Sequence, residues 1–407
     1  MAGMMGDAEA GRTRAASAPD FAVVADDLTG AADSGSQFAR NGCRTAVFFR
    51  GENVAFAGLG AAVLDTDSRS SPPDEARRRV FEAGTKVRDA KIVFKKVDST
   101  LRGNVAAETD ALMRATGRER AVVAPAFPSG GRTTIGGVQF VNGTPVHETE
   151  FSRDPKTPAT EGHLPTLLSK LGAVKTLGAK DLDDPGKIRR AVSESRLVVA
   201  DATEDGHLVS LVEAVAEPSS VVWVGSAGLA SALVSVYPGS GDISPPTIEV
   251  GNVLVVVGSV SGVSRRQLRN LEARGKAVPV ALEAAVESTV RKAGAVLEAG
   301  GNAVIYSPSE VGRFAPETVG GMLATVAYEL NGRFGGLVMT GGDTAVGVAR
   351  RLGAKGIEVL GEVEPGVPFG RLVGGGAYPV VTKAGGFGGP DTLCDAVDFL
   401  TGEKEGG

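Results

Sequence analysis

Cysteine and histidine are scarce in this chain of 407 residues. It holds two cysteines, Cys43 and Cys394, and three histidines, His147, His163 and His207. Two distant cysteines make no disulfide framework and lack metal-ligand spacing, which fits a reducing, cytoplasmic compartment. The histidines are too few for a dense metal cluster, and no metal ligands are assigned. No stretch reaches about 18 consecutive apolar residues, so no membrane span is expected. Residues 1–19 lack the apolar core of a secretory signal and read as a disordered lead-in. With 43 basic against 48 acidic residues the net charge is −5, which predicts no nucleic-acid footprint. Three signatures are also missing: the G-x-x-x-x-G-K-[ST] phosphate loop, the G-x-G-x-x-G dinucleotide fingerprint after a strand, and the G-x-S-x-G elbow.

Glycine, by contrast, is abundant, at 57 residues without a fixed period. That excludes a helical bundle and collagen, and points to many tight turns between strands and helices. Short apolar runs at 21–25, 45–49, 61–64, 92–94, 121–123, 197–200 and 221–224 read as buried strands. Residues 74–91 and 104–116 read as helices between them. A Pro-, Gly- and Ser-rich stretch at 237–251 reads as a linker. Beyond it a second series starts, with strands at 253–257, 278–282, 303–306, 337–339 and 357–360 and helices at 288–298 and 316–330. The alternation predicts an α/β protein of two domains with mostly parallel sheets. The expected limits are a lead-in at 1–19, a first domain at 20–237, a linker at 238–250, a second domain at 251–401 and a tail at 402–407. The cleft between the domains is the expected ligand site.

Ligands bind outside the carboxyl ends of strands in open α/β sheets, and five polar clusters fall there. Asp26 and Asp27 offer adjacent carboxylates for a hydroxyl-rich substrate or a metal, although one of them would suffice as a helix cap. Asp65 to Arg69 ends in an arginine able to fork onto a substrate carboxylate. Lys95 to Asn104 packs cations, a carboxylate, hydroxyls and an amide ahead of a helix, and its two lysines need not both point inward. Ala124 to Thr134 is stiffened by Pro125 and Pro128 and contains Gly130, Gly131 and Arg132. It reads as a functional loop or a structural hairpin. In the second domain, Gly258 to Gly262, Thr340 to Ala345 and Thr382 to Gly388 are glycine turns of the kind that cradle phosphates.

At these residues the sequence resembles the four-carbon acid sugar kinases. The match rests on Ala-Asp-Asp-Leu-Thr-Gly-Ala at 25–31, Lys-Lys-Val-Asp-Ser-Thr-Leu-Arg-Gly-Asn at 95–104, Pro-Ala-Phe-Pro with Gly-Arg-Thr at 125–133, Thr-Gly-Gly-Asp-Thr-Ala at 340–345 and Thr-Lys-Ala-Gly-Gly-Phe-Gly at 382–388. The resemblance implies a sugar-acid-binding first domain, an ATP-binding second domain and phosphorylation of the 4-hydroxyl of D-threonate or D-erythronate. The alternative within the family is a 3-oxo-tetronate. Residues 146–149 and 151–155 look like the threonate and erythronate branch. Carried over by position, Asp27, Arg69, Lys96, Val97, Asp98 and Ser99 contact the sugar acid. Ser259, Gly341, Gly342, Asp343, Thr344 and Gly386 contact ATP.

The mechanism expected from this set places the substrate carboxylate on Arg69 and Lys96. Asp27 or Asp98 bonds the hydroxyls, and the ATP phosphates lie on the N–H groups of Gly341, Gly342 and Thr344. Asp343 and Asp98 are the candidate catalytic carboxylates, with Asp343 orienting the Mg²⁺ shell or taking the hydroxyl proton. The expected partners are the small sugar acid and ATP with Mg²⁺, with a homo-oligomer left open. The rival from another class is a non-catalytic sugar-acid sensor, for which the glycine turns of the second domain would have no purpose.

Overall fold

The computed structural model describes residues 18–239, 241, 248–308 and 315–403. The expected lead-in up to residue 17, residues 240 and 242–247 of the expected linker, and the tail from 404 lie outside the described residues. The first half contributes strands β1 (Phe21–Ala25), β2 (Thr45–Phe48), β3 (Ala61–Asp65), β4 (Ile92–Lys96), β5 (Arg120–Ala124), β6 (Arg132–Ile135), β7 (Val138–Val141), β8 (Thr144–Pro145), β9 (Val174–Leu177), β10 (Leu197–Ala200) and β11 (Val221–Gly225). The second contributes β12 (Val253–Val257), β13 (Val278–Ala281), β14 (Ala303–Tyr306), β15 (Gly336–Thr340), β16 (Ala354–Glu364), β17 (Val367–Gly374) and β18 (Pro379–Lys383).

The apolar runs are strands buried on both faces. Val23, Ala25 and Phe94 belong to one core cluster, while Ala22, Val24 and Val93 belong to another. The same alternation divides Leu254 and Val256 from Val255 and Val257. Successive side chains of a strand point to opposite faces, so helices cover the sheet on both sides, as parallel sheets require. Three helices end near their expected limits, at Val105–Thr116, Val286–Glu298 and Pro316–Glu329, while the one expected over 74–91 spans Pro73–Lys86 and stops five residues early. Among the described residues no helix is long and apolar enough to cross a membrane.

Fifteen strands form one sheet, in the order β13-β14-β12-β15-β18-β17-β16-β2-β3-β1-β4-β11-β5-β10-β9. Its pairs are parallel except β2 with β16, β16 with β17 and β17 with β18. The antiparallel hairpin β16–β17 is the feature the sequence pattern misses: 357–360 marks only part of one arm. Three successive antiparallel pairs reverse the strand direction between the two halves. The hairpin carries register shifts at Ala354/Gly356, Val359/Gly361 and Glu362/Glu364, and such irregularities bend a strand and increase its twist. The segment Ala124 to Thr134, read as a functional loop or a structural hairpin, leads into the small antiparallel sheet β6–β7–β8.

Strand order changes sense at β1, with β3 on one side and β4 on the other, and again at β12, with β14 and β15 beside it. Such switch points open a crevice at the carboxyl ends of strands.

The β2–β16 pair joins the halves at Gly356 opposite Phe48. A Cβ at Gly356 would lie 2.3 Å from the Val47 carbonyl oxygen. Gly356→Ala is expected to cost about 1–3 kcal/mol in urea unfolding, as overpacking does. Gly321 is exposed in the helix Pro316–Glu329, and a Cβ there meets nothing within 4 Å. Gly321→Ala is expected to stabilise by about 0.5–1 kcal/mol. Equal effects at the two positions would show that the strand junction is not tightly packed.

Candidate functional site

Asp27 ends the turn after β1 and caps the helix Leu28–Arg40, its Oδ1 accepting from the Gly30 N–H at 2.9 Å. Asp26 takes no part in the cap. Arg69, in the turn after β3, donates through Nε to Asp26 Oδ2 at 2.7 Å and through Nη2 to Asp26 Oδ1 at 2.9 Å. Its Nη1 and Nη2 also donate to the two oxygens of Asp27 at 2.8 and 2.7 Å. Burial opposes the charge on Asp26, but Arg69, with Lys95 and Lys96 behind it, holds that carboxyl below its ordinary value. Asp27 is pushed the other way, by burial and by the neighbouring Asp26 charge, against the pull of Arg69.

This geometry changes the reading of Arg69. A guanidinium has five N–H donors, and four of Arg69's lie on Asp26 and Asp27. The free fork expected for a substrate carboxylate is already occupied by the protein's own carboxylates.

The adjacent lysines at the end of β4 point to opposite faces, as strand alternation requires. Lys95 is fully buried, with Nζ 2.8 Å from Glu108 Oε2 and donating to the Lys96 and Val24 carbonyls at 2.8 and 3.2 Å. Glu108 Oε1 accepts from Ser68 Oγ at 2.7 Å, and Ser68 meets Thr66, which bonds the Ala25 carbonyl. This dry network ties the carboxyl ends of β1, β3 and β4 together beneath Arg69. Glu108 sits in the helix Val105–Thr116 and carries no sequence signal beyond a carboxylate on a buried face. Lys96 instead faces the cavity described below, its Nζ donating to the Val97 carbonyl at 3.1 Å.

Asp98 accepts from Thr100 Oγ1 and from Arg102 Nε, both at 2.5 Å. Arg102 also reaches Asp154 at 3.1 Å and stacks over Phe151. Burial opposes the charge on Asp98, but Arg69 and Arg102 bring its pKa down to about 2. A carboxylate held that low is a weak proton acceptor, which weakens its candidacy as a base. Val97 is buried, and its N–H bonds the Gly225 carbonyl at 2.8 Å, so it anchors the segment from behind.

In the second half, Gly341 has φ 95° and precedes the helix Gly342–Arg351, a backbone setting that glycine adopts freely. Gly258 is equally constrained, because a Cβ there would fall 2.0 Å from Thr344 Oγ1. Ser261 caps the helix Gly262–Ala273, donating from Oγ to the Gly385 carbonyl at 2.5 Å and accepting the Ser264 N–H at 3.1 Å. The turns after β12, β15 and β18 therefore pack as one unit. Asp343 lies exposed on the first turn of its helix.

Residues of both halves line one cavity of about 460 Å³. Of the expected site residues, Asp27, Arg69, Lys96, Asp98, Ser99 and Gly342 line it. Val97, Ser259, Gly341, Asp343, Thr344 and Gly386 do not, although a Cβ on Gly341 would sit 3.6 Å from the Ser259 nitrogen. At the cavity, a Cβ on Gly342 would come 3.9 Å from Thr29 Oγ1 of the first half. Three cations in the lining were not singled out as site residues: Arg102, which pairs with Asp98 and Asp154, and Arg132 and Lys383. Arg132 gives one N–H to the Gly130 carbonyl, and its buried Nε has no partner. Among the described residues, Lys96, Arg132 and Lys383 have no carboxylate within 4.0 Å.

Residues 21–233 match the family model described as Sugar-binding N-terminal domain, and residues 254–393 match the one described as Nucleotide-binding C-terminal domain. The chain is 35% identical over 425 residues to a D-threonate kinase of Salmonella typhimurium, covering 93% of this chain and 97% of that protein. It is 32% identical over 437 residues to a D-erythronate kinase of Heliobacterium modesticaldum, covering 93% and 96%. The crystal structure of a Haemophilus influenzae protein shares the fold at a TM-score of 0.80 and 24% identity, over 93% of this chain and all of that one. The chain belongs to the four-carbon acid sugar kinase family.

The Lys95–Glu108 pair gives a direct test of what supports the site. Glu108→Ala leaves a buried ammonium unpaired and is expected to cost about 3–5 kcal/mol in chemical denaturation. The double variant Lys95→Met, Glu108→Leu removes both charges and is expected to recover most of that loss. Near-additive losses would mean the pair does not act as a unit.

Proposed function

We propose that this chain is an ATP-dependent kinase that phosphorylates the 4-hydroxyl of a four-carbon sugar acid, D-threonate or D-erythronate. The observation that carries the proposal is the set of three cations, Lys96, Arg132 and Lys383, that have no carboxylate within 4.0 Å among the described residues and face one cavity built by both halves. Buried charges are ordinarily paired; Lys96 and Lys383 are buried and Arg132 half-buried, and the three suit a carboxylate on one ligand and a polyphosphate on the other. A sensor of the acid alone would need no cation on the second half.

In this reading Arg132 and Lys96 take the substrate carboxylate. Asp27 accepts from the acid's reactive hydroxyl, and its raised pKa suits a proton acceptor better than that of Asp98. Arg69 holds Asp26 and Asp27 in place, and Ser99 borders the acid from the Lys96–Ser99 run. The phosphates lie against Ser259, Gly341, Gly342, Thr344 and Gly386, with the N–H groups that open the helix Gly342–Arg351 pointing at them. Mg²⁺ arrives with ATP as part of the substrate and keeps water and phosphate oxygens as most of its ligands. Among the described residues no three His, Cys, Asp or Glu side chains group into a metal cage. In this reading the exposed Asp343 serves the metal's water shell rather than the reacting hydroxyl.

A coupled ADP-release assay over D-threonate, D-erythronate, L-threonate and 3-oxo-tetronates tests the proposal. Turnover is expected with D-threonate or D-erythronate. Turnover with a 3-oxo-tetronate alone would move the chain to the other branch, and none with any acid would refute the kinase reading. Asp27→Asn is expected to lower kcat by about 10²- to 10⁴-fold, the usual worth of general-base assistance. Arg132→Met is expected to raise the acid KM about 10- to 150-fold, the equivalent of a hydrogen bond to a charged group, and to leave the ATP KM nearly unchanged. Thr344→Val is expected to raise the ATP KM and spare the acid. If each variant weakens both ligands equally, this division of labour is wrong.

A further inference from the structure

Lys383 is the last residue of β18, in register with Thr340 at the end of β15. Its carbonyl accepts the Gly341 N–H at 3.0 Å, so the backbone of Lys383 supports the turn that opens the helix Gly342–Arg351. Its side chain is another matter. The residue is only 4% exposed, yet Nζ has no polar contact among the described residues nearer than Ser264 Oγ at 3.5 Å. Burial pulls the amine down to about 8, and Glu364 opposes that only from a distance. Lys95, equally buried, shows what a structural lysine requires: a carboxylate at 2.8 Å and two carbonyls. Lys383 has none of these and lines the cavity that also holds Asp27 and Lys96.

An ammonium kept dry without a counter-charge is costly, and the cost is recovered when an anion enters. We propose that Lys383 is a catalytic residue whose Nζ contacts the terminal phosphates of the nucleotide and neutralises the phosphoryl group in transfer. The proposal rests on the kinase reading above. In the step it serves, the bond from the γ-phosphorus to the β–γ bridging oxygen breaks, and its electron pair stays on ADP. The acid's hydroxyl oxygen bonds the γ-phosphorus and its proton passes to Asp27. Lys383 exchanges no atoms; it supplies fixed positive charge where negative charge moves, which is the main demand of phosphoryl transfer. A compact ammonium with three donors suits a tetrahedral oxyanion.

The test is Lys383→Met in the full chain, read four ways. Turnover is expected to fall at least about 100-fold in kcat, as when one preorganised charge donor is removed. The acid KM should hold. Calorimetric affinity for ATP and ADP should drop about tenfold while that for AMP is unchanged. The melting temperature should stay or rise, because an unpaired buried charge is gone. A lower melting temperature together with lost activity would assign Lys383 a structural role and overturn the proposal, as would kcat within threefold of the parent. Lys383→Cys gives the second arm: alkylation with 2-bromoethylamine rebuilds a side-chain amine and should restore turnover, whereas iodoacetamide should not. Equal recovery with both reagents, or with neither, counts against the proposal. If the parent binds ATP more tightly than Lys383→Met but turns over no acid, the kinase reading fails while the phosphate contact stands. If the parent turns over and Lys383→Met matches it, only the lysine assignment fails.

Discussion

The site depends on one guanidinium held by two adjacent carboxylates. Arg69 arrives from the turn after β3, and Asp26 and Asp27 from the turn after β1. Their four hydrogen bonds lock two strand ends together and leave a single N–H of the arginine unused. The clamp also sets the protonation of its members: Asp26 is kept ionised, while Asp27 is driven toward its neutral form by burial and by its neighbour. Two carboxylates one residue apart thus acquire different chemistry, because only one is fully enclosed by the arginine fork and the lysines behind it.

A second constraint is topological. β2 pairs antiparallel with β16, and two further antiparallel pairs lead to β18, so the parallel strands of the halves run in opposite senses across one sheet. In a flat sheet their carboxyl ends would lie on opposite edges. They nevertheless line one cavity, so the sheet must turn through the irregular hairpin β16–β17. Twist accumulates from strand to strand, and the three register shifts of the hairpin add to it. The hairpin is thus what brings Lys383 and Gly342 opposite Asp27 and Lys96.

Charge is then sorted by depth. Lys95 and Glu108 pair in the interior, Arg102 pairs with Asp98 and Asp154, and Arg69 with Asp26 and Asp27. The first ties a strand to a helix, and the others hold the turns after β1, β3 and β4. Among the described residues, Lys96, Arg132 and Lys383 have no carboxylate within 4.0 Å and lie at the cavity wall, where an anionic ligand is proposed to complete them. The arrangement divides residues that build the site from residues that bind within it, and several neighbours in sequence fall on different sides of that division.

The sequence by itself determined the α/β pattern and the places where chemistry gathers. Apolar runs of strand length and polar clusters at their carboxyl ends are local signals, and residues 25–31, 95–104, 125–133, 340–345 and 382–388 stand out on that ground alone. The glycines at 258 and 341 are likewise explained by close approach and by a left-handed turn. Strand alternation also required Lys95 and Lys96 to face opposite ways. Which of them enters the core was decided only in three dimensions, by the helix that brings Glu108 to one face. The same holds for Arg69, whose fork lands on Asp26 and Asp27 because β1 and β3 pair in register, for Asp343, which its helix turns outward, and for Arg132 and Lys383, which stand out because no carboxylate among the described residues comes within 4.0 Å of them. Composition and period report what each segment prefers locally. Charge pairing and the absence of a partner are properties of distances between segments, and only the folded sheet supplies those.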